Sequence, residues 1–330
     1  MKLLISNSTQ NIYNSTPKKY NNNISKGDNK KNLWTLPYHC LVNQHNWKYI
    51  NEEELLGQNI KNVLQNKFNE QPTVILFWRC NTLLVQQFDF IKNWDVIKSI
   101  YLDDLHHSPE IQELKNIDNS FFDHFIIFST YQYCFYQFIQ TTNNKTFWLP
   151  HSFNELFTVQ FNDNPKYGLL TSGNIDENIY PMRKYLLTFK NNYNIDYLNH
   201  PGYQKKKKHD IVGIKYIQKL NEYLACFTCC STLATPYLLA KFFEIPGSGS
   251  LLVAYDDLVI NQLKELGFID GINYISVTKE NMETKLDFIF DVNNKKLIDE
   301  IRLNGYNLIK NRHLLSHRSS FIDNCLKSYL

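Results

Sequence analysis

Short apolar runs of strand length alternate with stretches of helical spacing along almost the whole chain, and few architectures accept that pattern. In the first half KLLISN is a strand and the Asn-rich stretch through Lys31 is a long loop or insertion. ELLGQNIKNVLQNKF then has helical spacing, TVILFW reads as a buried strand, LLVQQFDFIKNW as a helix and VIKSIYLDD as a strand ending in acids. IQELKNI, FDHFIIFS, YQYCFYQFIQ and KTFWLP continue as helix, strand, helix and closing strand. A second series follows: YGLLTSG, YPMRKYLLTFKNNY, YNIDYLNHPG, VGIKYIQKLNEY and LACFTCC, then TPYLLAKFFEI, a short strand, LVINQLKELGF and two C-terminal helical stretches. Strands that recur between helices form parallel sheets covered on both faces. The expected fold is α/β, with two facing doubly wound, Rossmann-like domains at 1–155 and 156–312. Residues 313–330 are expected to form a helix that packs back on the first domain. At 330 residues, two cores are the default.

Composition narrows the function classes. A hydrophobic share of 43% can fill two cores, and a formal net charge of +3 is too small for a dedicated nucleic-acid binder. No run approaches the ~20 apolar residues needed to span a bilayer, and MKLLIS is too short for a signal-peptide core, so a soluble, cytoplasmic protein is expected. The 7 cysteines lack a second CxxC and any His at zinc spacing, which favours reduced, buried thiols and no metal site. Over-use of Asn, Lys, Ile and Tyr, as in KNNYNIDY, points to AT-rich coding of the kind found in giant DNA viruses and some protists.

The window from Lys241 to Tyr255, KFFEIPGSGSLLVAY, reads as a helix stopped by Pro246 and Gly247 that turns through Gly249 into a buried strand. Glu244 can accept two vicinal hydroxyls in bidentate fashion, and bare glycines let a phosphate or sugar approach the backbone. An ordinary helix-turn-strand unit fits the same residues.

The order TSGNIDENIYPMR, NHPGY, LACFTCCSTLATPYLLAKFFEIPGSGSLLVAY, LKELGFIDGINYISV resembles the C-terminal half of GT-B glycosyltransferases, especially the CgeB-like group 1 transferases. The match covers residues 168–277. The resemblance implies transfer of a sugar from a UDP- or GDP-linked donor to a hydroxyl acceptor on a glycan, protein or small molecule, without a bound metal. It places Glu244 and Gly249 at the nucleotide ribose and Arg183, in the first helix after Gly173, on the donor diphosphate. Arginine suits that place because its planar fork grips two phosphate oxygens. Lys241, one turn before Glu244, is a second phosphate candidate, or a solvated or Glu-paired lysine. His200 in NHPGY is a candidate for the donor base or phosphate, and Ser231, Thr232 and Tyr237 are candidate donors to phosphate or sugar, or helix caps. A second family glutamate has no counterpart here, its place falling on Pro236 or Tyr237.

In the first half, YLDDLHH ends an apolar strand. Asp104, His106 and His107 are the candidates for a base that takes the acceptor proton, a carboxylate beside an imidazole being a way to poise a base near neutral pH. Capping acids and surface histidines are the plainer alternative. His151 in WLPHSFNELF is a candidate cleft residue, and the lysines at 205–208 read as a solvated loop. A nucleotide-sugar epimerase of the same fold and a binding scaffold without turnover are the rival readings.

Overall fold

The computed structural model describes residues 1–6, 36–103, 105, 114, 116–118, 120–132, 145–199, 211–232 and 236–330. The chain forms two compact units. Among the described residues the first holds everything up to Pro150 together with Ser316–Leu330, and the second holds His151–Leu315.

The first unit is built on β1 (Lys2–Ser6), α1 (Leu36–His45), β2 (Lys48–Asn51), α2 (Ile60–Phe68), β3 (Val74–Trp78), α3 (Asn81–Lys92), β4 (Ile97–Leu102), β5 (Ile126–Ser129) and β6 (Thr146–Trp148). Its sheet runs β2-β1-β3-β4-β5-β6, with every pairing parallel. That explains the unbroken apolar run of β3, which is buried at all five positions. The sequence reading differs from this sheet in two places. KYIN forms an extra strand, β2, and the helix expected from Glu54 starts only at Ile60. Gly57, at φ 68°, breaks the first part, and the Asn59 side chain accepts from the Asn62 amide to cap the second.

The second unit contains β7 (Lys166–Ser172), α4 (Pro181–Leu187), β8 (Ile195–Leu198), α5 (Ile214–Asn221), β9 (Tyr223–Cys229), α6 (Lys241–Ser248), β10 (Leu251–Tyr255), α7 (Ile260–Glu265), β11 (Ile275–Val277), α8 (Met282–Phe290) and α9 (Lys295–Arg312). The order β11-β10-β9-β7-β8 is again wholly parallel. The chain steps outward from β7 to β8, then returns past β7 to β9 and onward. The two directions of winding part between β7 and β9, where a doubly wound sheet leaves a crevice beyond the carboxyl ends of its strands. Chain entry and exit are bonded together in this unit: the Phe153 amide donates to the His313 carbonyl at 2.8 Å and the Leu315 amide to the Phe153 carbonyl at 3.0 Å.

α10 (Leu315–Lys327) returns the chain to the first unit, where Ile322 and Leu326 join the core that includes Leu4, Val74, Leu76 and Phe128. Asp323 fixes it there. Its fully buried carboxylate accepts from Lys2 Nζ at 2.5 Å and Trp47 Nε1 at 2.7 Å, and pairs with Lys327 Nζ at 2.7 Å. Burial opposes the charge, but the donors outweigh it and hold the carboxyl below its ordinary range.

Candidate functional site

Strand β7 ends on Ser172, and the chain turns at Gly173 with φ 101°, a conformation that side chains resist. Conformation is only part of the need for glycine. A Cβ at this position would overlap Lys241 Nζ and stand 3.0 Å from Arg183 Nη1, so two cations converge on one bare Cα.

Each cation is held by the backbone. Arg183, third residue of α4, is 2% exposed, donates from Nη1 to the Asn174 carbonyl at 3.0 Å and stacks 3.8 Å from the centroid of the Tyr180 ring. Its Nε has no hydrogen-bond partner, and no carboxylate pairs with it among the described residues. Lys241 opens α6 and donates from Nζ to the Ser172 carbonyl at 2.8 Å. Burial, and then the neighbouring Arg183 charge, push its pKa down. A lysine is also badly placed at a helix amino terminus, the positive end of the macrodipole. Buried positive charge with too little compensation is costly in a folded protein. An anion resting on Gly173 would remove that cost, and the positive helix end would then assist its binding.

Glu244 lies one turn into α6 from Lys241, half-buried, and its carboxylate makes no hydrogen bond or ion pair among the described residues. Burial raises its pKa, and the Lys241 charge offsets part of that rise. A carboxylate with its acceptor positions open beside two cations suits a ligand that carries hydroxyls next to an anion.

The structure therefore brings Gly173, Arg183, Lys241 and Glu244 together at the crevice between β7 and β9. Thr232 lies at the same edge, but its amide and hydroxyl both engage the Ile179 carbonyl, tying the segment after β9 to the segment after β7. Ser231 is buried just past the end of β9, and Tyr237 is buried with its ring 6.1 Å from that of His151. Gly249 is placed elsewhere. It closes α6 with φ 90°, its amide donating to the Pro246 carbonyl at 2.9 Å and its carbonyl accepting from Arg302 at 3.0 Å. It precedes β10, at the amino end of a sheet whose crevice lies at the carboxyl ends. Its requirement for glycine is therefore that of a helix cap. Asp104, His106, His107, His200 and the lysines at 205–208 lie outside the described residues.

The window around Glu244 also differs from its sequence reading. The expected helix over TPYLLAKFFEI, ending at Pro246, is instead α6, which begins at Lys241 and runs through Pro246 and Gly247. Tyr237 and Leu238 are buried ahead of it as anchors, so tertiary packing overrides helical spacing there. Glu244 consequently sits in the first turn of the helix, whose start Lys241 ties to the carboxyl end of β7.

Three residues of the site escaped sequence reasoning. Ser172 carries Lys241 on its carbonyl and exchanges a 2.8 Å hydrogen bond with Tyr216 through its hydroxyl. Tyr197 donates to the Gly173 carbonyl at 2.8 Å, bracing the turn from β8. Proximity of Ser172 to Gly173 was a usable signal. Tyr197 and Tyr216 had none, because their place depends on strand order.

No family profile matches the sequence, and no curated protein matches it by sequence. The fold has clear counterparts among solved structures. An α-glucosyltransferase in complex with UDP and a 13-mer DNA containing a HMU base superposes with a TM-score of 0.61 at 9% identity, covering 99% of each chain. Anabaena HepE in complex with UDP gives 0.56 at 13% identity, covering 99% of this chain and 100% of that one. Sucrose-phosphate synthase from Thermosynechococcus elongatus gives 0.56 at 10% identity over 86% of this chain and 80% of that one. The chain has the two-sheet α/β fold of the GT-B glycosyltransferases.

Proposed function

We propose that this chain is a glycosyltransferase that takes a nucleoside-diphosphate sugar as donor and passes the sugar to a hydroxyl acceptor. The observation that carries this reading is the convergence of Arg183 and Lys241, neither paired with an acid among the described residues, on Gly173 at the β7/β9 crevice. A diphosphate carries enough negative charge to answer both cations, and Glu244 beside them is a receiver for the ribose diol.

The chemistry follows from that placement. The acceptor oxygen bonds to the anomeric carbon, the bond from that carbon to the diphosphate oxygen breaks, and the acceptor proton passes to a base. Charge grows on the departing diphosphate as the bond lengthens. Arg183 and Lys241 stand already oriented by backbone carbonyls, so they stabilise that charge without reorganising, and in this proposal no metal ion is needed for it. Asp104 and His106 remain the proposed bases. Solved structures of like fold bind UDP, which makes uridine the first nucleotide to try.

Incubation with a panel of UDP- and GDP-sugars, read by chromatography of nucleotide and sugar, tests the proposal. Slow release of free nucleoside diphosphate, accelerated by the right acceptor, is expected. A changed sugar still attached to its nucleotide would indicate an epimerase, and failure to bind any donor would indicate a scaffold without turnover.

A further inference from the structure

Tyr216 stands in the first turn of α5, and its hydroxyl lies 2.8 Å from the Ser172 hydroxyl, its one hydrogen-bond partner among the described residues. Two hydroxyls joined by a single hydrogen bond use one of their two protons, whichever donates. Ser172 is buried at the end of β7, whereas Tyr216 is half-buried, so of the two residues it is Tyr216 that keeps accessible surface. The phenol lies within the field of Glu244, which, after burial, is the next cause keeping Tyr216 firmly protonated. Ser172 thus ties the phenol, through its hydroxyl, and Lys241, through its carbonyl, to one point, and Glu244 follows Lys241 by one helical turn.

We infer that Tyr216 is a specificity-determining residue of this site. Its hydroxyl, held by Ser172, donates to a ribose hydroxyl whose own proton goes to Glu244, so that the pair reads the diol and rejects nucleotides that lack it. This rests on the nucleoside-diphosphate reading proposed above. The logic is that of any site built to satisfy a hydroxyl from both sides: with the hydroxyl gone, a half-buried donor and a half-buried acceptor lose their partners together. Ser172 adds a positioning role, since the same residue fixes Lys241 through its carbonyl.

The test is calorimetric binding of UDP, GDP and ADP, each against its 2′-deoxy counterpart, with inorganic pyrophosphate as a control for the cation half of the site. In the unmodified protein the best ribonucleotide is expected to bind about 10- to 100-fold more tightly than its deoxy form, the range for a hydrogen bond involving a charged group. In Tyr216→Phe that ratio is expected to collapse at least severalfold while pyrophosphate affinity stays unchanged. Ser172→Ala, which leaves the phenol in place but unheld, should give an intermediate ratio. An unchanged ratio in both variants would overturn the inference while leaving the nucleotide reading intact. If no nucleoside diphosphate binds the unmodified protein, the nucleotide reading fails and the inference with it.

Discussion

Lys241 donates from Nζ to the carbonyl oxygen of Ser172 at 2.8 Å, and this bond fixes an ammonium ion at the amino end of its own helix, beside Arg183. The placement runs against the helix dipole, against burial and against a like charge. A residue so placed is expected to lower the stability of the empty protein, and under the proposed function an anion would offset that cost.

Lys241→Met is therefore expected to separate stability from binding. Removing the ammonium should leave the melting temperature of the unliganded protein unchanged or raise stability by about 1 kcal/mol, as removal of strained functional groups often does. The same variant should bind a nucleoside diphosphate about 10- to 100-fold more weakly, from the loss of a charged hydrogen bond. Thermal unfolding with and without nucleotide reads both effects. A strongly destabilised variant with normal binding would make Lys241 structural.

Gly173→Ala should fail for steric reasons at the same spot. Alanine at φ 101° costs about 1–3 kcal/mol, and its methyl group would displace Lys241 Nζ and crowd Arg183 Nη1. Loss of nucleotide affinity beyond that of a general destabilisation is expected, visible as a flattened nucleotide-induced rise in melting temperature. A folded variant with full affinity would detach the turn from the site.

Glu244→Ala is expected to weaken nucleotide binding by about 1.5–3 kcal/mol while leaving pyrophosphate binding in place, if the carboxylate holds the ribose and the cations hold the phosphates as proposed. Equal losses for the two ligands would show that the residue acts through Lys241 instead.

The first unit carries a pH-dependent fastening. Asp323 has a folded-state pKa below its ordinary value, so the folded form binds fewer protons than the unfolded one near that range. Its contribution is complete above the unfolded pKa near ~3.9 and is lost as pH falls through the lower folded value. Asp323→Asn should cost about 1.5–3 kcal/mol at neutral pH, less than a fully buried pair would, since Lys2 and Lys327 can reach water. Denaturant titrations at pH 7 and pH 3 should show the gap between variant and parent closing on acidification. A constant gap would mean that the carboxylate is not the fastening group.

Much of this could be read from the residues, and what could not has physical reasons. VILFW in β3 and YLACFTC in β9 are buried throughout, so their strands stand out as unbroken apolar runs. β2, KYIN, offers only four residues with Lys48 exposed, and β11 only three, too few to show a period. The start of α6 is not legible in the sequence because Tyr237 and Leu238 continue the helical spacing, although they are buried ahead of the helix in a segment without regular secondary structure. Chemistry marked Arg183, Lys241 and Glu244 as candidates, since charged residues beside a glycine turn are conspicuous. Gly249 was equally conspicuous, but its positive φ serves a helix end. Tyr216 and Tyr197 were invisible: they meet Ser172 and Gly173 across gaps of 44 and 24 residues, and only the order β9-β7-β8 brings them there.

The most direct test of the account is a crystal structure of the protein soaked with UDP-sugar and, separately, GDP-sugar. The expected result places the diphosphate over Gly173 within hydrogen-bonding distance of Arg183 and Lys241, with the ribose hydroxyls on Glu244. A donor bound elsewhere in the protein, with Arg183 and Lys241 untouched, would contradict it.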